Sequence, residues 1–294
     1  MSHSLPLEAP GRPGGAPPTV SRFAPSPTGH LHLGHAHAAL FAHAEAERAG
    51  GRFLLRIEDI DRTRCRPEYE AAIFEDLAWL GLAWGEPVRR QSQHFPDYAQ
   101  ALARLREMGV LYPCFCTRGD IQAEIAAAGQ APHGADGPLY PGTCRRRPAA
   151  ERARLAAAGT AALRLDMEKA TMLAGPLTWR DRGRGEMRAE PQRFGDVVLA
   201  RKDTPASYHL AVTVDDHIQG VTLVTRGEDL FAATHVHRLL QALLGLDTPD
   251  YHHHRLLCDD SGRRYAKRDR ALTLRALREA GRGAGEVRAM AGFG

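Results

Sequence analysis

Apolar residues in this chain come in short continuous runs, and most runs are followed by a segment whose apolar positions recur every three or four residues. Runs of the first kind suit strands buried on both faces, and segments of the second kind suit helices with one buried stripe. Val20 to Ala24 reads as a strand that leads through a Pro/Gly turn into an Ala-rich helix over Ala36 to Arg48. Gly51 to Ile57 is the next buried run, followed by a helix over 67 to 80 with Ile73, Leu77 and Leu80 on one face. A helix from about Pro96 to Met108 ends at Gly109, a residue suited to a C-cap, and Leu111 to Thr117 is extended. Regular structure resumes with a strand in Asp196 to Asp203 and a helix start at Pro205 that runs into an apolar stretch ending at Asp216. A buried strand over Val221 to Asp229 and an amphipathic helix over Thr234 to Leu244 follow. Strands alternating with helices predict an α/β fold with a doubly wound parallel sheet.

The pattern also divides the chain. Residues 1–19 are rich in Pro and Gly without apolar periodicity and read as a disordered leader. Residues 20–112 and 191–257 form two halves of one sheet, and the looser 113–190 reads as an insertion containing a strand at Ala161 to Leu165. Residues 258–294 hold a polar turn, a short helix near Leu272 to Ala280 and a Gly-rich tail.

Length and charge narrow this picture only slightly. The 294 residues give ample length for a core, and a net charge of +4 permits contact with nucleic acid without requiring it. No apolar run approaches a membrane span, and the N-terminus lacks a signal-peptide core, so the reducing cytoplasm is the expected compartment. The five cysteines are an odd number, and Cys114-Phe-Cys116 is a poor disulfide spacing but a good metal one.

Candidate chemistry collects at the ends of the strands. The turn Arg22-Phe-Ala-Pro-Ser-Pro-Thr-Gly-His-Leu-His-Leu-Gly-His35 opens a helix, so backbone N–H groups and the positive helix end face whatever sits above it. His32 and His35 flank Gly34, where a missing side chain lets a phosphate approach the backbone. Glu58 and Asp61 follow the second strand, where open α/β sheets bind ligands; Asp61 suits a helix cap equally well. Arg22 and Arg226 stand at strand ends, and arginine is the residue suited to bidentate carboxylate binding. Cys114, Cys116 and Cys144 offer three thiolates for a closed tetrahedral site, with Tyr140, His133 or water as the fourth ligand. His252-His-His254 suits a second metal poorly, because neighbours in an extended stretch point to opposite faces. Asp215-Asp216-His217 reads as a polar cluster at the sheet end, near adenosine or tRNA.

His32-Leu33-Gly34-His35 resembles the "HIGH" signature of class I aminoacyl-tRNA synthetases, and the preceding Arg-Phe-Ala-Pro-Ser-Pro-Thr-Gly is similar to the glutamyl/glutaminyl branch. Arg264-Tyr-Ala-Lys-Arg268 stands where that family has its "KMSKS" loop, with Arg264 for the first Lys, Ala266 for the Ser and Lys267 matching cleanly. The resemblance covers Arg22 to about Arg268 and implies a Rossmann-like catalytic sheet. It also implies ATP with Mg²⁺ as substrate, a triphosphate held by His32, Gly34 and His35, and a pyrophosphate held by Arg264 and Lys267. In glutamate-activating relatives the residues matching Arg22, Ser26, Glu58, Tyr208 and Arg226 make the amino-acid pocket. About 25 residues follow the basic turn, too few for an anticodon-binding domain. A core of this length with Cys-x-Cys…Tyr-x-x-x-Cys is similar to the glutamyl-Q tRNA(Asp) synthetase family, which implies one structural Zn²⁺ on Cys114, Cys116, Tyr140 and Cys144. That family esterifies glutamate to queuosine in the anticodon loop of tRNA(Asp), and a monomer is expected. Two other readings stay open on the sequence alone: the core of an ordinary glutamyl-tRNA synthetase charging a 3′ end, and a non-catalytic nucleotide- or tRNA-binding regulator.

Overall fold

Parallel strands β1 (Val20–Phe23), β2 (Arg52–Ile57) and β3 (Gly85–Arg90) open the fold, with Val20 opposite Arg52 and Phe23 opposite Leu55. The computed structural model describes residues 18–117, 119–121, 133–134, 137–159, 161–257 and 273–294. Helix α1 (Leu33–Arg48) links β1 to β2 and α2 (Pro67–Trp79) links β2 to β3; α3 (Phe95–Glu107) and β4 (Leu111–Cys114) follow. Next come the two-residue strands β5 (His133–Gly134) and β6 (Gly137–Pro138), then α4 (Thr143–Arg146), α5 (Ala149–Ala158), β7 (Ala162–Leu165) and α6 (Met167–Ala174). The hairpin β8 (Thr178–Asp181) and β9 (Gly185–Arg188) and strand β10 (Val198–Ala200) precede α7 (Tyr208–Ile218) and β11 (Leu223–Gly227). The described chain closes with α8 (Ala233–Leu244), β12 (Asp250–His254), α9 (Leu274–Glu279) and α10 (Ala284–Met290).

Strand β11 starts beside β1: the Thr222 N–H donates to the Val20 carbonyl at 3.0 Å, and the Val20 N–H donates to Thr222 Oγ1 at 2.9 Å. The strands therefore run β3-β2-β1-β11-β12-β8-β9 across the molecule, parallel except for β9. Strand alternation sorts the faces. Phe23, Phe53, Leu55 and Ile57 pack on Ala36, Ala39 and Leu40 of α1, each large side chain so buried contributing roughly 1.5–3 kcal/mol. The intervening positions Arg22, Arg56, Glu58 and Arg226 turn to the face covered by α7 and α8, whose Leu210, Val214, Val236 and Leu240 share a core with Leu102 and Leu105 of α3. Because α1 and α8 leave neighbouring strands toward opposite faces, a crevice opens at the carboxyl ends of β1 and β11.

The predicted helices and buried strands form close to their expected bounds. Helix α1 starts three residues earlier than the Ala-rich pattern suggested, because His32 supplies an N-cap ahead of Leu33. β3 escaped the sequence reading, since its side chains are mostly charged or exposed. The Gly-rich tail carries α10, whose Val287 lies in the same cluster as the buried face of α1 together with Ala291. The β8–β9 hairpin, inside the stretch read as an insertion, pairs with β12, whereas β10-β7-β4 makes a separate antiparallel sheet.

Candidate active site

The turn before α1 is built by two imidazoles. His32 Nδ1 accepts the Gly34 N–H at 3.1 Å, and His35 Nδ1 accepts the His32 N–H at 3.2 Å, a reciprocal cap with the rings 3.8 Å apart. A neutral ring whose Nδ1 accepts carries its proton on Nε2, so both rings are set as N–H donors, the role a phosphate oxygen requires. A Cβ at position 34 would lie 3.1 Å from His32 Cε1. A side chain at position 34 would therefore press the His32 ring back by a few tenths of an ångström.

Ser26, Glu58 and Tyr208 line one cavity of about 190 Å³, with Gln91, Arg64 and Arg201 elsewhere on its wall. Asp61, also on that wall, accepts from the Thr63 N–H, the Thr63 hydroxyl and Arg64, which makes it the organiser of a turn. Arg22 donates to Asp216 Oδ1 at 2.9 Å and Oδ2 at 3.3 Å and to the Thr225 carbonyl at 3.0 Å, bridging β1 to β11. Three of its five N–H groups are so engaged, leaving two for another acceptor. Arg56, fully buried, donates to Asp216 at 2.7 Å and to Glu58 at 3.2 Å. Burial raises the Glu58 pKa; Arg56 and Arg22 oppose this without cancelling it, so a cation arriving at Glu58 is favoured. Asp216 is held low: burial would raise it, but Arg22 and Arg56 outweigh burial.

Arg226 is built differently. It is 6% exposed, and its Nε donates to His253 Nε2 at 3.1 Å, its Nη1 to His237 Nδ1 at 3.1 Å, and its Nη2 to the Thr234 hydroxyl. The Tyr208 hydroxyl lies 3.5 Å from Nη1. Among the described residues no carboxylate comes within ion-pair distance of it. His253 is neutral by construction, passing its Nδ1 hydrogen to Asp181 at 2.6 Å, and burial with the Arg226 charge pushes its pKa down to about 4. His237 is pushed well below its ordinary value, first by burial and then by Arg226. Arg226 is therefore a buried cation with only neutral partners, and its Nη2 still has one hydrogen to give.

The structure thus brings Arg22, Ser26, Glu58, Tyr208 and Arg226 into one neighbourhood. Arg264 and Lys267 lie outside the described residues. Asp215 and Asp216 form a buried polar cluster, Asp215 taking Arg89, Gln91 and Tyr98 while Asp216 takes Arg22 and Arg56. The sequence reading missed Arg56, although a charge inside a buried run signals a partner elsewhere. The triple histidine behaves as its alternation foretold: His253 faces Arg226, while His252 reaches Glu45 and His254 packs on His37 of α1.

In the insertion, the sulfurs of Cys114, Cys116 and Cys144 lie within 4.8 Å of one another. The Tyr140 hydroxyl is 3.5 Å from two of them, and Cys116 Sγ is 3.4 Å from Cys144 Sγ. Zinc–sulfur bonds of about 2.3 Å at tetrahedral angles separate sulfurs by roughly 3.8 Å, so the donor set fits a metal ion with little adjustment. Burial pushes the Cys116 thiol up to about 11, a cost that a dication at the cluster would reverse. No helix among the described residues is long and apolar enough to cross a membrane.

Comparison with known proteins gives a consistent picture. The family of class I tRNA synthetases (E and Q), catalytic domain, matches residues 19–286. A glutamyl-Q tRNA(Asp) synthetase of Rhodobacter capsulatus is 50% identical over 280 residues, covering 93% of this chain and 100% of the relative. One of Symbiobacterium thermophilum is 45% identical, covering 88% and 81%. A glutamate tRNA ligase from Elizabethkingia meningosepticum, solved in complex with its amino acid, superposes with a TM-score of 0.73 at 30% identity over 86% of this chain. The chain spans about half of that structure, 52% of its length.

Proposed function

The chain belongs to the class I tRNA synthetases of the glutamate and glutamine branch, and on that footing we propose that it activates glutamate with ATP and transfers it to queuosine at the wobble position of tRNA(Asp). The observation that carries the choice of amino acid is Arg226. Arg22, Arg56 and Arg89 are answered by Glu58, Asp215, Asp216 and Asp97, whereas Arg226 has no counter-charge among the described residues. Glutamate supplies one with its side-chain carboxylate, and its ammonium finds Glu58. Glutamine would leave the guanidinium buried and unanswered, a loss worth roughly 3 kcal/mol or more, about a hundredfold in affinity.

In the first step an α-carboxylate oxygen of glutamate attacks the α-phosphorus of ATP. A new O–P bond forms as the bond to the bridging oxygen of pyrophosphate breaks, and pyrophosphate leaves with that electron pair. Charge on the equatorial oxygens is met by His32 Nε2–H, His35 Nε2–H and the α1 N-terminus, with Gly34 allowing the approach. Arg264 and Lys267 serve the departing pyrophosphate. Arg22 and Ser26 hold the amino acid in line, and Tyr208 closes its side-chain pocket. In the second step a hydroxyl of the queuosine cyclopentenediol attacks the glutamyl carbonyl, AMP leaves, and an ester remains on the anticodon loop. Mg²⁺ bound with ATP shields phosphate charge. Cys114, Cys116, Cys144 and Tyr140 would hold one structural Zn²⁺ per chain, which would tie together the segments that carry them. The protein acts in the cytoplasm as a monomer.

The test is transfer of labelled glutamate, with ATP, onto tRNA(Asp) bearing or lacking queuosine, with nuclease mapping of the label. Label confined to the anticodon loop of queuosine-bearing tRNA is the expected result. Label on a 3′ end would make the protein an ordinary charging enzyme, and no transfer with no ATP–pyrophosphate exchange would leave only a binding role.

A further inference from the structure

A guanidinium offers only N–H donors and no acceptor, so each side chain that Arg226 bonds to must present a lone pair. Its Nη1 meets His237 Nδ1 at 3.1 Å, which makes Nδ1 the acceptor and puts the hydrogen of a neutral ring on Nε2. His237 Nε2 lies 3.1 Å from His209 Nδ1, which must accept in its turn. His209 follows Tyr208 on α7 and His237 sits on α8, so the pair ties together the two helices that cover the cavity face. Donation therefore runs one way, from Arg226 to His237 to His209.

We infer that His209 is a positioning residue for the glutamate subsite: by accepting the His237 Nε2–H it fixes the tautomer of His237 and so holds the Arg226 fork toward the substrate carboxylate. The inference rests on the glutamate reading above. Without an acceptor at position 209, the His237 Nε2–H loses its partner, and that loss offsets what Nδ1 gains by accepting from Arg226. The other tautomer would set an Nδ1–H against a guanidinium N–H, and Arg226 would turn away. Protonation does not disturb the chain near neutrality, because burial and Arg226 push His209 down to about 4 and His237 well below its ordinary value.

Two substitutions and one spectroscopic reading test this. His209→Leu keeps bulk but removes the acceptor; His209→Asn keeps an acceptor in its amide oxygen. In ATP–pyrophosphate exchange, His209→Leu is expected to raise the KM for glutamate about tenfold, the scale of one hydrogen bond to a charged group. The KM for ATP and kcat should stay within about twofold. His209→Asn should restore the glutamate KM to within roughly threefold of the wild type. Nitrogen-15 NMR of the imidazoles should show His237 as the Nε2–H tautomer in the wild type and His209→Asn, and partly as Nδ1–H in His209→Leu. An unchanged glutamate KM in His209→Leu, an Asn variant no better than Leu, or a wild-type His237 bearing its hydrogen on Nδ1 would each overturn the inference. The last needs no variant to fold. A wild type without glutamate-dependent exchange would instead sink the glutamate reading, while the tautomers would still decide how the histidine chain is ordered.

Discussion

A buried charge reveals its purpose by what it is given as a partner, and two residues here make opposite cases. Arg226 is surrounded by His253, His237, Thr234 and Tyr208, none of them anionic. Arg226→Lys keeps the charge and loses the fork, so the KM for glutamate should rise about thirtyfold or more with little change in the KM for ATP, read by pyrophosphate exchange. Asp76 on α2 is a buried carboxylate with no hydrogen bond to either oxygen among the described residues, and Arg278 Nη2 stands 3.7 Å away. Burial raises its pKa from 3.8 to about 6, with Arg278 opposing. A raised carboxylate pKa means that the folded state binds the proton more tightly. Stability from this group is therefore full below about pH 4, falls as pH rises toward 6, and stays low above, by roughly 3 kcal/mol. Asp76→Asn should accordingly stabilise the protein at pH 7.5 and give no gain at pH 4. Urea denaturation at the two pH values checks this, and a gain of equal size at both would rule out the charge as its source.

At the scale of elements, the first turn of α1 joins helix capping to the proposed phosphate contact. His32 both caps the helix and presents its ring, and Gly34 gives that ring its room. Gly34→Ala would bring a methyl 3.1 Å from His32 Cε1 and 3.2 Å from the Nδ1 that caps the helix, so the ring must give by a few tenths of an ångström and the cap bond lengthens. Loss of the cap costs roughly 1 kcal/mol of stability, while kcat for pyrophosphate exchange should fall more than tenfold because the donor at the α-phosphate moves. A variant with normal kcat would show that the His32 ring takes no part. Much of this was legible in the chain: β2 and β11 are largely apolar, and Arg22, Glu58 and Arg226 fall at or near the carboxyl ends of β1, β2 and β11. Arg56 and Asp216 were not legible as a pair, because 160 residues separate them and only the folded sheet sets them 2.7 Å apart. β3 hid for a related reason: Arg89 and Arg90 look like surface residues until Asp215 and Glu70 supply their partners. The histidines around Arg226 come from α7, α8 and β12, and no local pattern joins them.

At the scale of the whole molecule, the cysteine cluster packs apart from the main sheet. Cys114 and Cys144 share a small buried cluster with Tyr112, distinct from the cores on either face of the main sheet. Its connections to the body are polar: Arg145 reaches Asp166 and Asp196, Lys202 reaches the Phe115 carbonyl, and the Tyr112 hydroxyl donates to Asp196 at 2.5 Å. Loss of a metal there should loosen residues 112–116 and 140–147 without moving Arg22, Glu58 or Arg226, because the apolar packing under those residues lies elsewhere. Metal analysis of the purified protein should find about one zinc per chain. Removal by a chelator should lower hydrogen-exchange protection over 112–116 and 140–147, leave β1 and β11 protected, and keep the KM for glutamate within about twofold. Transfer to tRNA should suffer more than adenylate formation, since transfer engages a macromolecule many times wider than the glutamate pocket. Equal loss of both steps would mean that the cluster supports the catalytic sheet itself. Full activity of metal-free protein in both would mean that the three thiols need no ion. Replacement of Cys144 by Ser separates these outcomes from chelator side effects, because it removes one ligand while leaving ATP-bound Mg²⁺ untouched.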